Sequence, residues 1–202
     1  MPRDKTASYE RIVAAAKKEF MECGYQKASM RQIGSRAGLT AAGIYRHCRN
    51  KEDLFEQIVS SAVEDLDQWM EQHIMESYVF LSRESENLWK TTWVDMMRDL
   101  IYPRMDEYRL LLTRAQGTRY ENFLHDLVAS NQQHMLVAFD TLKAQGRPVR
   151  EVTDHQLHLL LSGYITAIFE PVIHNYSLEE ALQCLDTLEA FFIPGWKQIM
   201  GF

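Results

Sequence analysis

Apolar residues recur at intervals of three and four along most of this chain, and no segment keeps a strict alternation of apolar and polar residues. Intervals of three and four gather side chains on one side of a helix, whereas a strand needs an interval of two. The chain also has no Asn-Gly or Asp-Gly pair, the strongest short signal of a β-hairpin. The pattern therefore predicts an all-α protein with about nine helices.

The N-terminal part predicts short helices separated by glycines. A first helix is expected from near Ser8 to Gly24, because glycine readily adopts the left-handed conformation that ends a helix. A second helix is expected to begin after Ser29, since this serine and Gln32 three residues later fit a capping box. Gly38 is expected to end the second helix.

Residues 29–47 are thus predicted to form a helix, a turn at Gly38 and another short helix. Thr40 is expected to cap that second short helix, and Asn50 the longer helix that follows. This helix-turn-helix arrangement is typical of proteins that place a recognition helix in the major groove of DNA. The small residues at positions 41–43 would let the start of that helix lie close to DNA.

The C-terminal part predicts longer helices. Capping boxes are expected to begin two of them, at Thr153 and at Ser177. Pro171 is expected to kink or end the first of these helices, and Pro194-Gly195 to end the second.

Charge is distributed unevenly along the chain, whose formal net charge is −6. Residues 1–60 carry 11 Lys and Arg against 7 Asp and Glu, and the remaining residues carry 11 against 21. A basic N-terminal head can meet DNA phosphates, while an acidic body is repelled by them and orients the approach.

Composition removes several classes of protein. No apolar run approaches the roughly 18 residues that a membrane-spanning helix needs, and the N-terminus lacks an apolar signal region. Three widely spaced cysteines favour reduced thiols over disulfides or a cysteine-rich zinc site. We therefore expect a cytoplasmic protein with no membrane span, no cofactor and no metal.

A series of residues between positions 8 and 60 resembles the signature of the tetracycline-repressor (TetR) family. The matching residues are Phe20, Gly24-Tyr25, Ala28 to Ile33, Ala37 to Thr40, Gly43 to His47 and Lys51 to Leu54. The resemblance implies a bacterial-type transcriptional regulator, in most members a repressor. It implies a helix-turn-helix DNA-binding domain over residues 1–55 and a helical ligand-binding and dimerisation domain over residues 56–202.

The resemblance also implies which residues meet DNA. Ser29 and Thr40 match helix caps that touch phosphates, and Tyr45 matches a phosphate-contacting tyrosine. Arg46, with Arg31 as a second candidate, could donate hydrogen bonds to a guanine edge. The full expected set is Ser29, Met30, Arg31, Thr40, Ala41, Ala42, Gly43, Tyr45, Arg46, His47 and Lys51.

Two residues depart from the family pattern. Cys48 stands where an aromatic residue is usual, and Gly34 where alanine is usual. Both would loosen the packing of the head, by about 1 kcal/mol for glycine against alanine within a helix. They bear on the stability of the head, not on its role.

One small head would contact few base pairs, so a symmetric dimer that reads two half-sites of a palindromic operator is expected. The resemblance implies that the last two long helices form the dimer. The residues expected there are Leu157, Leu161, Ile165, Ile168, Leu182, Leu185, Leu188 and Phe192.

The middle helices are rich in methionine and aromatic side chains, which adapt to irregular apolar ligands. The family resemblance implies a pocket there for a small, largely apolar effector that releases the protein from DNA. The expected lining residues are Trp69, Trp89, Trp93, Met96, Met97, Tyr120, Phe123, Leu127 and Tyr164.

Other classes of function remain open. His155 and His158 lie three residues apart beside Asp154 and could ligate a metal in an enzyme, but no motif supplies a third ligand. The same fold could serve as a protein-interaction module that has lost DNA binding, although the intact segment from Thr40 to Lys51 argues against this. Activation of transcription instead of repression is also open.

Overall fold

The structure is a computed structural model that describes residues 5–81 and 93–201. No strand occurs in these residues, so the predicted all-α class is confirmed. A π-helix (Met96–Ile101) and a 3₁₀ turn (Tyr102–Arg104) precede the fifth of eight bounded α-helices. The α-helices are α1 (Lys5–Lys27), α2 (Met30–Ala37), α3 (Ala41–Ile44), α4 (Lys51–Leu81), α5 (Met105–Thr113), α6 (Phe123–Ala144), α7 (Asp154–Ile173) and α8 (Leu178–Met200).

These helices belong to two compact units. The first unit contains the described residues up to Asp65 together with Arg104–Glu121. The second contains those of Leu66–Pro103 and those from Asn122 onward. Arg104–Glu121 thus packs with N-terminal helices that lie far from it in the sequence. The sequence pattern alone did not predict this arrangement.

An apolar stripe of α1 and a group of aromatic rings form the core of the first unit. Ile12 and Phe20, on one side of α1, are fully buried, as is Ile33 of α2. The ring of Phe55 in α4 lies edge-on to that of Phe20, with centroids 5.2 Å apart, and 5.4 Å from that of Tyr25. Edge-to-face contacts of this kind add stabilisation beyond the burial of apolar area.

The segment Arg104–Glu121 is fixed in the first unit by hydrogen bonds to backbone groups. The backbone N–H of Tyr25 donates to the carbonyl of Arg114 at 3.0 Å, and the Arg114 Nε donates to the carbonyl of Met21 at 2.8 Å. The buried Tyr108 hydroxyl donates to the carbonyl of Ala62 at 2.8 Å. The end of α1 is therefore held by a residue that lies 93 positions after Met21.

Helices α6, α7 and α8 make up most of the second unit. The capping boxes predicted at Thr153 and Ser177 are both formed, with each side-chain oxygen accepting from the backbone N–H three residues later. Apolar residues of α7 are buried against the neighbouring helices, among them Leu161 and Phe169, and Leu185 is buried on α8. The starts of α7 and α8 therefore agree with the local sequence.

Three predicted helix ends differ from the structure. Helix α1 begins at Lys5, and the helical segment resumes after a non-helical Gly24 (φ 75°) and runs to Lys27. The capping box at Ser29 is not formed: Ser29 occupies the cap position, but its side chain makes no capping bond. Pro194 does not end α8, which continues to Met200.

Helix α7 also bears on the expectation of no membrane span. It is the one helix in the described residues that is long and apolar enough to cross a membrane by length and composition, with a mean hydropathy of 1.2. Since 44% of that window is buried inside the molecule, the helix equally fits a core element. Core helices pass the same test, so this is weak support for a span.

Candidate nucleic-acid interface

Helix α2, a tight turn and helix α3 form the predicted helix-turn-helix within the first unit. Gly38 ends α2 in the left-handed conformation (φ 67°, ψ 33°). Its N–H donates to the Ser35 carbonyl at 3.2 Å, and the Leu39 N–H donates to the Gly34 carbonyl at 2.9 Å. A side chain at position 38 would strain this backbone, so glycine sets the angle between the two helices.

A buried carboxylate, which the sequence analysis did not identify, holds α2 against α1. Glu19 is only 3% exposed, and its Oε1 accepts from the backbone N–H of Ser29 at 3.2 Å. Its Oε2 pairs with the Nε of Arg36 at 3.2 Å, and Arg36 also pairs with Glu22. The pairing with Arg36 lowers the pKa of the Glu22 carboxyl. Arg36 therefore forms ion pairs that link α2 to α1, near the end of α2 that is opposite Ser29.

Thr40 caps α3 as the sequence predicted. Its Oγ1 accepts a hydrogen bond from the backbone N–H of Gly43 at 3.2 Å. The α-helix proper covers only Ala41–Ile44, and turns continue to His47. Ile44 is fully buried beneath this segment and fixes its orientation.

None of the residues expected to meet DNA whose side chains the structure describes is fully buried, and the side chain of Ala41 lies outside that description. Tyr45 is 52% exposed although it is large and apolar. The set contains both exposed and half-buried residues. The exposed members are Arg31, Thr40, Ala42, Tyr45 and Arg46, and the half-buried members are Ser29, Met30, Gly43, His47 and Lys51.

Lys51 has contacts that the sequence did not predict. Its Nζ donates to the carbonyls of Gln26 at 3.0 Å and Ala28 at 3.1 Å, and it lies 4.6 Å from the centre of the Tyr25 ring. Burial lowers the pKa of this ammonium group. Two of its three N–H donors therefore bind backbone carbonyls at the end of α1 and just after it.

Two more polar residues around α3 are held by neighbours. The His47 ring stacks on that of Tyr9 in α1, with centroids 6.1 Å apart. The Arg49 guanidinium pairs with Asp53 at 3.1 Å. Cys48, one of the two departures from the family pattern, is 4% exposed, and its thiol faces the Ile44 carbonyl at 3.8 Å.

The residues expected to line an effector pocket belong to both units. Trp69, Trp93 and Tyr164 form a connected group of rings in the second unit, with centroids 6.2 Å and 5.9 Å apart. Tyr120 belongs to the first unit, where its ring lies 6.4 Å from that of Phe55.

The remaining expected pocket residues also differ in their placement. Met96 and Met97 are fully buried in the π-helix, Phe123 is buried and Leu127 is half-buried. Trp89 lies outside the described residues.

Most residues expected at the dimer interface are buried within one chain. The buried members are Leu157, Leu161, Ile165, Ile168 and Leu185, and the half-buried members are Leu182, Leu188 and Phe192. A side chain that is already enclosed offers little area to a partner. The outward faces of the same helices instead carry Leu159 (72% exposed) on α7 and Phe191 (77% exposed) on α8.

Within the described residues, no group of three or more His, Cys, Asp or Glu side chains could hold a metal ion. His158 is engaged by Gln132, with 3.1 Å between its Nδ1 and the amide Oε1, while His155 is exposed.

A helical fold with a helix-turn-helix near its N-terminus is typical of DNA-binding proteins. Residues 12–58 match the model of the family described as bacterial regulatory proteins, tetR family. Residues 12–58 are therefore similar to the bacterial regulatory proteins of this family, which confirms for this segment the resemblance seen in the sequence.

Solved structures share the fold at low sequence identity. PfmR of Thermus thermophilus, a TetR-family transcriptional regulator, is 18% identical with a TM-score of 0.56, over 88% of this chain and 96% of that one. SmeT, in a complex with triclosan, is 21% identical with a TM-score of 0.54, over 91% and 90%. Salmonella enterica GusR is 17% identical with a TM-score of 0.50, over 94% and 97%.

Proposed function

We propose that this protein is a sequence-specific repressor that binds a palindromic operator as a dimer and leaves it when a small, largely apolar molecule binds. One observation carries the DNA-binding part: Arg31 on α2, and Tyr45 and Arg46 directly after α3, are all exposed. A guanidinium can bind guanine through two hydrogen bonds, and a phenol can bind a phosphate.

The proposal divides the chain into a DNA-binding domain over residues 1–55 and a ligand-binding and dimerisation domain over residues 56–202. Helix α4 (Lys51–Leu81) runs through the boundary between them. A ligand that favours one placement of α4 would change the separation of the two heads of a dimer. Since two heads fit successive major grooves only when they are roughly 34–36 Å apart, such a ligand would weaken DNA binding.

The small-molecule part of the proposal is supported by a relative of the same fold. SmeT has been solved in a complex with triclosan. In this chain, the group of Trp69, Trp93 and Tyr164 offers aromatic surface of the kind that small organic molecules use. The proposal places the protein in the cytoplasm, where bacterial DNA lies.

The dimer is proposed to form through the outward faces of α7 and α8. Leu159 and Phe191 are the most exposed large apolar side chains of the described residues. Gly163 and Gly195 lie on the same two helices, and a Cβ atom added at either would meet nothing within 4 Å. Exposed apolar side chains beside small residues suit close helix packing against a second copy.

Replacing Phe191 by alanine is expected to raise the dimer dissociation constant by about 100-fold or more. The residue occurs twice in a symmetric interface, and burying one such ring contributes about 1.5–3 kcal/mol. Sedimentation equilibrium over a range of concentrations measures the constant. Val137→Ala, an exposed apolar change on α6, is the matched control. An unchanged constant for Phe191→Ala would move the interface away from this face.

The experiment that tests the proposed function is a binding selection with purified protein and random duplex DNA, followed by sequencing of the retained duplexes. We expect enrichment of a two-fold palindrome, because a symmetric dimer presents identical heads to two half-sites. Enrichment of one half-site alone would refute the dimer, and retention of no sequence at low salt without ligand would refute the DNA-binding role.

A further inference from the structure

The described arginines among residues 1–60 fall into two groups, according to whether a carboxylate holds the guanidinium. Arg36 is paired with Glu19 and Glu22, and Arg49 is paired with Asp53. The others are exposed and form no ion pair within the part of the chain that the structure describes, and they are Arg11, Arg31 and Arg46. An exposed, unpaired guanidinium can exchange its water for a phosphate without first breaking an ion pair.

Arg11 is the member of this unpaired group that lies outside the helix-turn-helix. Arg31 and Arg46 already belong to the residues expected to meet DNA, whereas Arg11 is on α1. Its Nη1 lies 3.8 Å from the position that a Cβ atom would have at Gly38, the residue that ends α2. The guanidinium of Arg11 therefore lies beside the turn that joins α2 to α3.

The same part of α1 also borders the far end of the recognition segment. The ring of Tyr9 stacks on that of His47, with centroids 6.1 Å apart, and His47 follows α3 (Ala41–Ile44). Two residues of α1, Tyr9 and Arg11, thus contact the turn before α3 and the segment after it. Since Arg11 is exposed, it borders the recognition segment on a side that is open to solvent.

Most hydrogen-bond donors of Arg11 are directed at no protein acceptor. Its Nε donates to the Ala7 carbonyl at 3.4 Å, and its two Nη atoms donate no hydrogen bond among the described residues. The planar fork of a guanidinium matches two oxygens of one phosphate. Thr40, two residues after Gly38, is one of the residues expected to touch a phosphate, so Arg11 lies beside an expected phosphate contact.

We propose that Arg11 binds a backbone phosphate next to the turn between α2 and α3, so that α1 adds a contact to those of the helix-turn-helix. This inference rests on the proposed function, because it adds a residue to the same DNA interface. Arg11 lies beside the turn and not on the recognition segment, so the contact adds affinity without a preference for particular bases.

The first test is the salt dependence of DNA binding by the full-length Arg11→Ala variant, measured for the selected palindrome and for an unrelated duplex. A dimer that loses one phosphate contact in each head should lose about 2 from the slope of log affinity against log salt concentration. The variant's loss of affinity is therefore expected to be about tenfold larger at about 0.05 M than at about 0.2 M salt, equally for both duplexes. An unchanged slope would overturn the proposal.

Two further variants separate a phosphate contact from net charge and from a structural role. Arg11→Lys keeps the positive charge and is expected to restore most of the slope. Lys143→Ala removes an exposed cation of α6 in the second unit and is expected to leave the slope unchanged. Equal reductions by Lys143→Ala and Arg11→Ala would overturn the proposal, and so would a loss for Arg11→Ala that is the same at every salt concentration.

Ethylation interference on the selected duplex locates the contact. We expect one phosphate in each half-site, related by the two-fold axis, at which an ethyl group weakens binding of the unmodified protein but not of Arg11→Ala. Identical interference patterns for the two proteins would refute this inference and leave the proposed function standing. Failure of the unmodified protein to bind any duplex would refute the proposed function and this inference together.

Discussion

Replacing Arg46 by alanine is expected to lower the affinity for the selected palindromic duplex by about 30-fold to 10⁴-fold. Arg46 is exposed beyond α3 and forms no ion pair among the described residues. A bidentate contact between arginine and guanine contributes about 1–3 kcal/mol, and a dimer loses it twice. Fluorescence anisotropy with a labelled duplex at fixed salt measures the loss.

Arg49→Ala is the matched control, because it removes the same charge three residues away. The Arg49 guanidinium is paired with Asp53 at 3.1 Å. Its removal is expected to weaken binding by less than about tenfold and to do so equally for selected and unrelated duplexes, as a loss of general electrostatic attraction does. Equal losses for the two variants on the selected duplex would contradict a base-reading role for Arg46.

Replacing Phe55 by alanine is expected to lower the free energy of unfolding by about 3–5 kcal/mol, because the change leaves a cavity in the core of the head. Phe55 is 1% exposed, and its ring meets those of Phe20, Tyr25 and Tyr120. Loss of this ring should loosen α1 and α4 on either side of the helix-turn-helix. Urea denaturation at constant protein concentration measures the change.

The comparison variant for this prediction is Val137→Ala, which shortens a 57% exposed side chain on α6. Its effect is expected to stay within about 0.5 kcal/mol. Should Phe55→Ala unfold at the same urea concentration as the unmodified protein, the group of rings around Phe55 would not be the packing centre described above.

The capping residues in the sequence predicted helix starts correctly where no residue distant in sequence competes for the capping hydrogen bonds. Thr40, Thr153 and Ser177 all cap helices, because each oxygen meets a nearby backbone N–H. Ser29 fails as a capping box because Glu19, ten residues earlier, accepts its backbone N–H. The sequence held a signal for this contact, since Glu19 is a charged residue within the apolar stripe of Ile12, Ala16 and Phe20.

Contacts with residues distant in sequence explain why α8 does not end at Pro194-Gly195, as predicted, but continues to Met200. Pro194 is exposed, so its ring faces solvent, while Trp196 and Met200 beyond it are buried. The Arg150 N–H donates to the Ile199 carbonyl at 2.7 Å and holds the last turn. Burial of the two side chains offsets the hydrogen bond that proline removes.

The sequence also could not predict which apolar side chains of the long helices are buried within their own chain. An apolar residue on a long helix can face its own chain or a second copy, and the spacing is the same in both cases. Leu161 and Ile165 face their own chain, whereas Leu159 and Phe191 face outward. Similarly, nothing in the spacing distinguished Tyr120, which packs in the first unit, from Tyr164 in the second.

The central claim, sequence-specific recognition of duplex DNA by this chain, is tested most directly by one ratio of affinities. The dissociation constants of the unmodified protein are measured for the selected palindrome and for a scrambled duplex of the same composition, both at about 0.15 M salt. Specific binding predicts a ratio of about 10³ or more. A ratio near one would mean that the basic head attracts DNA only through its phosphates, and would contradict the claim.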